Sequence, residues 1–511
     1  MQTIDPRITR VRGTGARTVQ EKLASTYQKR PQLSLVALTL VPRVVLLAAA
    51  AHRVTPFGAP GHDGYLQIAQ NFVEHGLLGI GPHHLLTRGP LYPLLLAPGV
   101  FLGHPQLWSA LLHLAASVGT CLLVYAAAYS LTGSTRASFY AAGLVTLDPW
   151  LIWFVKNPMT TVTATFFVAA AVFFLAKLLA GERRILASCG LGVSCALAAL
   201  DHPALVVLLL GFTLALLVAA LGSASHSPIS LKPKDAFSAL MVVWCAFAVT
   251  LIPYALRNYR ISGRPVLISD GAGLSYFMGA SRYASSPYPW ANVEWDFGDV
   301  ARRLHVSVAE LDPQYFTVND RFYPELTRQA RTDIDSLAIH RPAFLAMRSA
   351  VMAFWFLAGD FSVTRTAAHC VFLAFIFLVC WMSWRARGWA LTAPFLVILL
   401  PGLALHSLTM ALIGHAAYSI PYVVPLAMPL ALVAAKRPAL ARSPRPAEDA
   451  PGELYALSNV RAIVFDVDGT LYAQGMYAAE LWWSSRYSSH ATRRGDIRRS
   501  EFCSPIAMRT N

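Results

Sequence analysis

Apolar residues gather into runs of about twenty, the length of a helix that crosses a bilayer, repeatedly between residues 33 and 435. The clear runs are 33–51, 106–130, 138–155, 159–180, 185–200, 203–221, 237–256, 366–384, 389–408 and 412–435. Two more, 91–103 and 344–358, are short for a crossing. The cations between the runs decide how to treat them. If neither short run crosses, the basic N-terminus, Arg136, Arg183 with Arg184, Lys232 with Lys234, Arg385 with Arg387, and Lys436 with Arg437 all fall on one face. If both cross, the three middle clusters change sides. Cytoplasmic loops are the ones that concentrate Lys and Arg. The pattern therefore predicts an all-α polytopic membrane protein with about ten spans, both termini cytoplasmic, and the two short runs lying along the outer surface as juxtamembrane helices. The expected location is the plasma (inner) membrane.

That topology puts two polar loops, 52–90 and 257–365, together on the extracytoplasmic side, where a site could be built between them. It also divides the chain into a basic tail (1–32), a transmembrane domain (33–435), a Pro/Ala/charged linker (436–459) and a C-terminal segment (460–511). The first 30 residues are polar and basic, and no short apolar stretch with a small-residue cleavage site follows, so no cleavable signal peptide is expected.

Composition agrees with a membrane class: 55% of residues are hydrophobic and 14% charged, against about a quarter charged in soluble domains. The formal charge of +15 raises nucleic acid as a partner. However, the cations sit mainly in the two tails, in short loops and in one long loop, where topology and anionic lipid account for them, and no nucleic-acid partner is expected. Cys121, Cys189, Cys195, Cys245, Cys370 and Cys380 fall inside apolar runs and Cys503 in the tail, without CxxC or zinc-like spacing. No metal site and no cofactor are evident.

Three stretches carry candidate chemistry. In GHDGYLQIAQNF (61–72), Tyr65, Ile68, Ala69 and Phe72 recur at helical spacing, which predicts an amphipathic helix beginning at Asp63. Asp63 then either caps that helix or serves as a general base at the membrane surface. In HHLLTRGPLYPLLLA (83–97), Arg88 either snorkels to the interface or pairs with a lipid phosphate. In LIPYALRNYRISGRPVLISDGAGLSYFMG (251–279), Arg257, Asn258 and Tyr259 emerge from the end of a span. They either anchor it at the interface, or hold an anionic headgroup on the face where cations are scarcer.

HDGYLQIAQNF, RGPLYP, PYALRNYRISGRPVLIS, AIHRPAFLAMRSAVMAFWF (338–356) and AAYSIPYVVPL (416–426), in this order, resemble the bacterial branch of the GT-C glycosyltransferases. That superfamily holds the dolichyl-phosphate-mannose protein mannosyltransferases and the lipid A aminoarabinose transferases, and the likeness runs over about residues 33–435. It implies an inverting membrane glycosyltransferase that moves a sugar from a polyprenyl-phosphate donor to an extracytoplasmic protein, lipid or cell-wall glycan. It also implies Asp63 as catalytic base, and Tyr65, Arg88, Tyr92, Asn157, Arg257, Asn258, Tyr259 and Tyr418 as substrate-binding residues. The chain departs from the family pattern at Gly64, where a second acid is common, and at His202-Pro203, where Arg-Pro is usual. Asn157 stands in place of an acid, and Ala417 and Ser419 flank Tyr418 in place of basic residues.

RAIVFDVDGTLY (461–472) is similar to the first motif of the haloacid dehalogenase (HAD) class, with Asp466 as nucleophile, Asp468 as acid/base and Gly469-Thr470 turning beneath the phosphate. That chemistry also needs a charge-balancing Lys or Arg and a late acidic pair to hold Mg²⁺. Residues 471–511 contain no lysine and no further strand-like run. The segment is expected to be a truncated, inactive α/β-like fragment; Asp466 and Asp468 would hold a metal only if it were active. Two other readings remain in view: a membrane-anchored HAD-type phosphatase, and a multi-pass transporter or lipid flippase. The transporter reading calls for charges inside spans, and Asp148 and Asp201 are the candidates.

Overall fold

The computed structural model describes residues 31–51, 64–80, 83–84, 88–222, 231–269, 302, 305, 322–358, 363–409 and 419–435. The chain divides into two compact units, residues 1–359 with 371–445, and residues 360–370 with 446–511. Of the second unit the described part is residues 363–370, the first turns of a helix.

The first unit is built from helices. Among the described residues seven helices are long and apolar enough to cross a membrane: Pro31–Ala50, Pro105–Thr132, Thr161–Leu179, Arg184–Asp201, Pro203–Gly222, Pro233–Ser262 and Thr366–Arg387. Two further helix pairs are apolar and long enough together but bent, the geometry of a broken span or a re-entrant loop. Thr135–Thr146 bends by 57° into Pro149–Lys156, and Trp389–Leu396 by 43° into Leu399–Ser407. Leu91–Phe101, Pro342–Ala358 and Ile420–Ala434 are apolar but shorter. The expected count of about ten is thus reached only by adding the short last helix, and the runs 138–155 and 389–408 are bent rather than continuous.

We label the helices that position the site α1 (Pro31–Ala51), α2 (Tyr65–His75), α3 (Leu91–Phe101), α4 (Pro105–Thr132), α5 (Thr135–Thr146), α6 (Pro149–Trp153), α7 (Thr161–Leu179), α8 (Arg184–Asp201), α9 (Leu208–Gly222) and α10 (Pro233–Ser262). α4 packs on α5 and α7, α7 on α8, and α8 on α10. The seams are filled largely by small side chains such as Ala127, Ala128, Ala164, Ala169, Ala198 and Ala199, all buried. Small residues let backbones approach where lipid removes the hydrophobic drive between helices. Large apolar side chains such as Val249, Leu210 and Leu217 face outward instead.

The break between α5 and α6 is held by two charges. Asp148 is fully buried, and its Oδ1 accepts the N–H groups of Trp150 at 2.8 Å and Leu151 at 2.9 Å, capping α6 ahead of Pro149. Arg43 of α1, 1% exposed, donates from Nη1 to the carbonyls of Thr39 (3.0 Å) and Thr146 (3.1 Å). The bend deprives the Thr146 carbonyl of its helical partner, and the guanidinium replaces it. Arg43 corrects the expectation that Asp148 and Asp201 were the charges inside spans. A lone arginine barely lowers the mean of an apolar run, so the pattern passed over it.

Candidate functional site

The polar stretch between α1 and α3 begins its described part at Gly64. This residue is the N-cap of α2 and stands at φ 70, ψ 0. The left-handed conformation is cheap only for glycine, so an acid at this position would carry backbone strain. This also corrects the expected helix start: α2 begins at Tyr65, and the N-cap position belongs to a residue with no capping side chain. Asp63 lies outside the described residues, as do Tyr418, Asp466 and Asp468. The buried face of α2 is Tyr65, Ile68, Ala69 and Asn71. Asn71 takes the place expected for Phe72 because its Nδ2 donates to the Leu77 carbonyl at 3.0 Å, closing the turn that follows α2.

From that turn the chain forms a two-residue ladder, Gly79–Ile80 against His83–His84, and reaches Arg88. The Arg88 guanidinium lies over the Tyr65 ring, 5.5 Å from its centroid. Tyr65 in turn meets Tyr92 edge-to-face at 5.3 Å. Both rings are buried, Tyr92 fully, and such pairs contribute about 0.5–1.5 kcal/mol beyond their area. Gly89 makes the arrangement possible. A Cβ there would collide with the Leu200 carbonyl at the end of α8, so only glycine lets this segment lie against the helix terminus.

Around this group the ends of α7 and α8 supply further polar atoms. Fully buried Asp201 accepts from Thr163 Oγ1 at 2.7 Å, and His202 Nδ1 bonds Thr160 Oγ1 at 2.8 Å. The histidine of His202-Pro203 therefore ties the end of α8 to the start of α7. Asn157 ends the 3-10 turn Phe154–Lys156, its N–H donating to the Phe154 carbonyl at 3.1 Å. Beside it, Lys156 Nζ sits 3.4 Å from the centroid of the Trp153 ring.

α10 reaches the same loop. Arg257 donates from Nη2 to the Leu78 carbonyl at 3.1 Å and from Nη1 to Asn258 Oδ1 at 2.9 Å, with its guanidinium 5.3 Å from the Tyr254 centroid. Asn258 is fully buried, and its Nδ2 donates to the carbonyls of Val266 (3.2 Å) and Ile268 (3.3 Å). Its amide is committed to the turn after α10 and to Arg257. Tyr259 is 55% exposed, and no hydrogen bond or ring contact ties it to this group among the described residues.

Of the residues singled out by sequence, the structure joins Tyr65, Arg88 and Tyr92 by direct contact and ties Arg257 to the same loop through Leu78. Two residues of this region were missed: Lys156, in the short gap between the runs 138–155 and 159–180, and His113 inside 106–130. Asp201, read from sequence as a charge inside a span, is bonded to Thr163 of another helix. Among the described residues no group of three His, Cys, Asp or Glu side chains could hold a metal ion. The arrangement offers three cations on aromatic faces at the end of helices long enough to span a bilayer, which suits an anion presented by a lipid.

No known protein family matches the chain, and no curated protein does. Among solved structures it is similar to the archaeal oligosaccharyltransferase AglB from Archaeoglobus fulgidus, solved with an inhibitory peptide and a dolichol-phosphate, at 15% identity and TM-score 0.46 over 80% of this chain and 50% of that one. The apo form of the same archaeal enzyme gives 16% identity and TM-score 0.48, over 80% of this chain and 51% of that one. ArnT from Cupriavidus metallidurans, bound to undecaprenyl phosphate, is similar at 14% identity and TM-score 0.37, over 78% of this chain and 77% of that one. The chain thus spans about half the length of the oligosaccharyltransferase.

Proposed function

We propose that this chain is a GT-C-type membrane glycosyltransferase, which moves a sugar from a polyprenyl-phosphate donor to an acceptor on the extracytoplasmic side. The observation that carries the reading is the joining of Arg88, Tyr65 and Tyr92 with Arg257, through the Leu78 carbonyl, where a polar loop meets helices of membrane length. A donor of this kind keeps its tail in lipid and its phosphate at the interface, so it needs cations at that level and an apolar wall below.

In the proposed reaction Asp63, which precedes the N-cap Gly64 in the sequence, takes the proton of the acceptor hydroxyl or amine. The acceptor atom forms a bond to the anomeric carbon as the bond from that carbon to the phosphate oxygen breaks, which inverts the carbon. The released polyprenyl phosphate keeps the bonding electrons, and Arg88, Arg257 and Lys156 stabilise its added charge. Asn258 contributes by fixing Arg257. The acceptor is a protein, a lipid or a cell-wall glycan. The test is transfer from a radiolabelled polyprenyl-phosphate sugar in membranes with and without the protein, alongside mass spectrometry of envelope glycans after deletion. Transfer that depends on the protein is expected. Equal incorporation in both membranes, with unchanged glycans, would overturn the reading.

A further inference from the structure

We propose that His113 is a positioning residue of this site, holding the segment that carries Arg88 in register with the turn that carries Lys156 and Asn157; the inference rests on the lipid-phosphate reading above. His113 sits in α4, within an otherwise apolar helix, and is fully buried. A buried imidazole is costly unless its nitrogens find partners, and here both do. Nδ1 is 3.0 Å from the Val155 carbonyl and Nε2 is 2.9 Å from the Tyr92 hydroxyl. A carbonyl can only accept, so Nδ1 carries the hydrogen, and in the neutral ring Nε2 accepts from the Tyr92 O–H.

Each end of this bridge has a reason to need it. Val155 lies in the 3-10 turn Phe154–Lys156, in which a carbonyl pairs with the N–H three residues on. Its counterpart is Pro158, which has no N–H. His113 replaces that missing donor in the turn that ends with Lys156 and Asn157. At the other end, Tyr92 stacks on the imidazole at 5.8 Å and 18° and meets Tyr65 edge-on at 5.3 Å, and Tyr65 lies under Arg88. Tyr92 Oη also lies 3.4 Å from Ser109 Oγ. The run from Val155 through His113, Tyr92 and Tyr65 to Arg88 is unbroken, and its three middle members are buried, so water cannot replace the links.

The test measures affinity for undecaprenyl phosphate by native mass spectrometry, and KM and kcat for the labelled donor, in His113→Phe, Tyr92→Phe and the double variant. His113→Phe keeps a flat ring without its hydrogen bonds, and Tyr92→Phe removes a single hydroxyl, so one remains informative if the other fails to fold. Each single variant is expected to weaken donor affinity roughly three- to tenfold, with kcat at saturating donor little changed. The double variant should be no worse than the weaker single, because both delete the same bond. A histidine that only stabilises the fold would lower the melting temperature and leave the affinity of the folded protein unchanged; that result, or losses that multiply, would overturn the proposal. Wild-type protein that binds no polyprenyl phosphate would overturn the functional reading itself, whereas wild-type binding with unaltered variants overturns the His113 assignment alone.

Discussion

Two short helices in this molecule follow an aspartate, and they begin differently. At α6 the carboxylate is the cap: Asp148 Oδ1 accepts two backbone N–H groups, Pro149 follows, and Arg43 closes the other side of the break through the Thr146 carbonyl. At α2 the cap position is Gly64 in a left-handed conformation, a residue with no side chain to accept from the helix N–H groups. At this break in the bundle the charges serve the backbone. At the loop the turns are closed by neutral groups, Asn71 on Leu77 and Asn258 on Val266 and Ile268, while Arg88 and Lys156 lie on aromatic faces. The difference teaches where chemistry can be housed. A charge that satisfies carbonyls inside a span is a structural part, and the charges set above rings are the ones we propose for the ligand.

The sharpest way to break this contrast is to change both aspartates to asparagine. Asparagine caps about as well as aspartate, so Asp148→Asn should leave transfer by the folded protein near wild type. Asp63→Asn removes a general base and should lower turnover roughly 10²- to 10⁴-fold, with normal expression, in the labelled-donor assay. Comparable losses in the two variants would erase the distinction. Next in size, Arg88→Ala should weaken undecaprenyl phosphate binding roughly ten- to a hundredfold, as loss of a charged hydrogen-bonding partner does. Titration by native mass spectrometry reads that change. The smallest effect is Asp148→Ala, which should cost about 1 kcal/mol of stability, seen as a lower melting temperature in detergent while transfer per folded molecule holds. Loss of transfer at full stability would make Asp148 more than a cap.

Much of the helical plan was legible because a span must be apolar along its whole length, and ten runs of that kind stand out between residues 33 and 435. The breaks were less so. Asp148-Pro149 marks one; the second, at Val397–Ile398, lies within apolar sequence and is marked by Pro401, which has no N–H to return to the Val397 carbonyl. For the site, Tyr65, Arg88 and Tyr92 came from local pattern and family likeness, and they do meet. Their links did not, because the partners lie far away in the chain: Tyr92 with His113, Arg257 with Leu78, Gly89 with Leu200. A histidine in an apolar run looks like any satisfied core residue until its two partners are known. The preference for Asn71 over Phe72 on the buried face of α2 came likewise from one backbone carbonyl, which periodicity does not register.

A lipid phosphate is proposed to meet this chain at the Arg88 loop. A photoreactive polyprenyl phosphate, irradiated with the protein in membranes and followed by peptide mapping, tests this directly. Labelled peptides from residues 64–101 and 251–269 are expected, with labelling competed by undecaprenyl phosphate and reduced in Arg88→Ala. Labelling confined to the peptides around Arg43 and Asp148, or to those bearing Arg136 and Arg183, and untouched by Arg88→Ala, would contradict it.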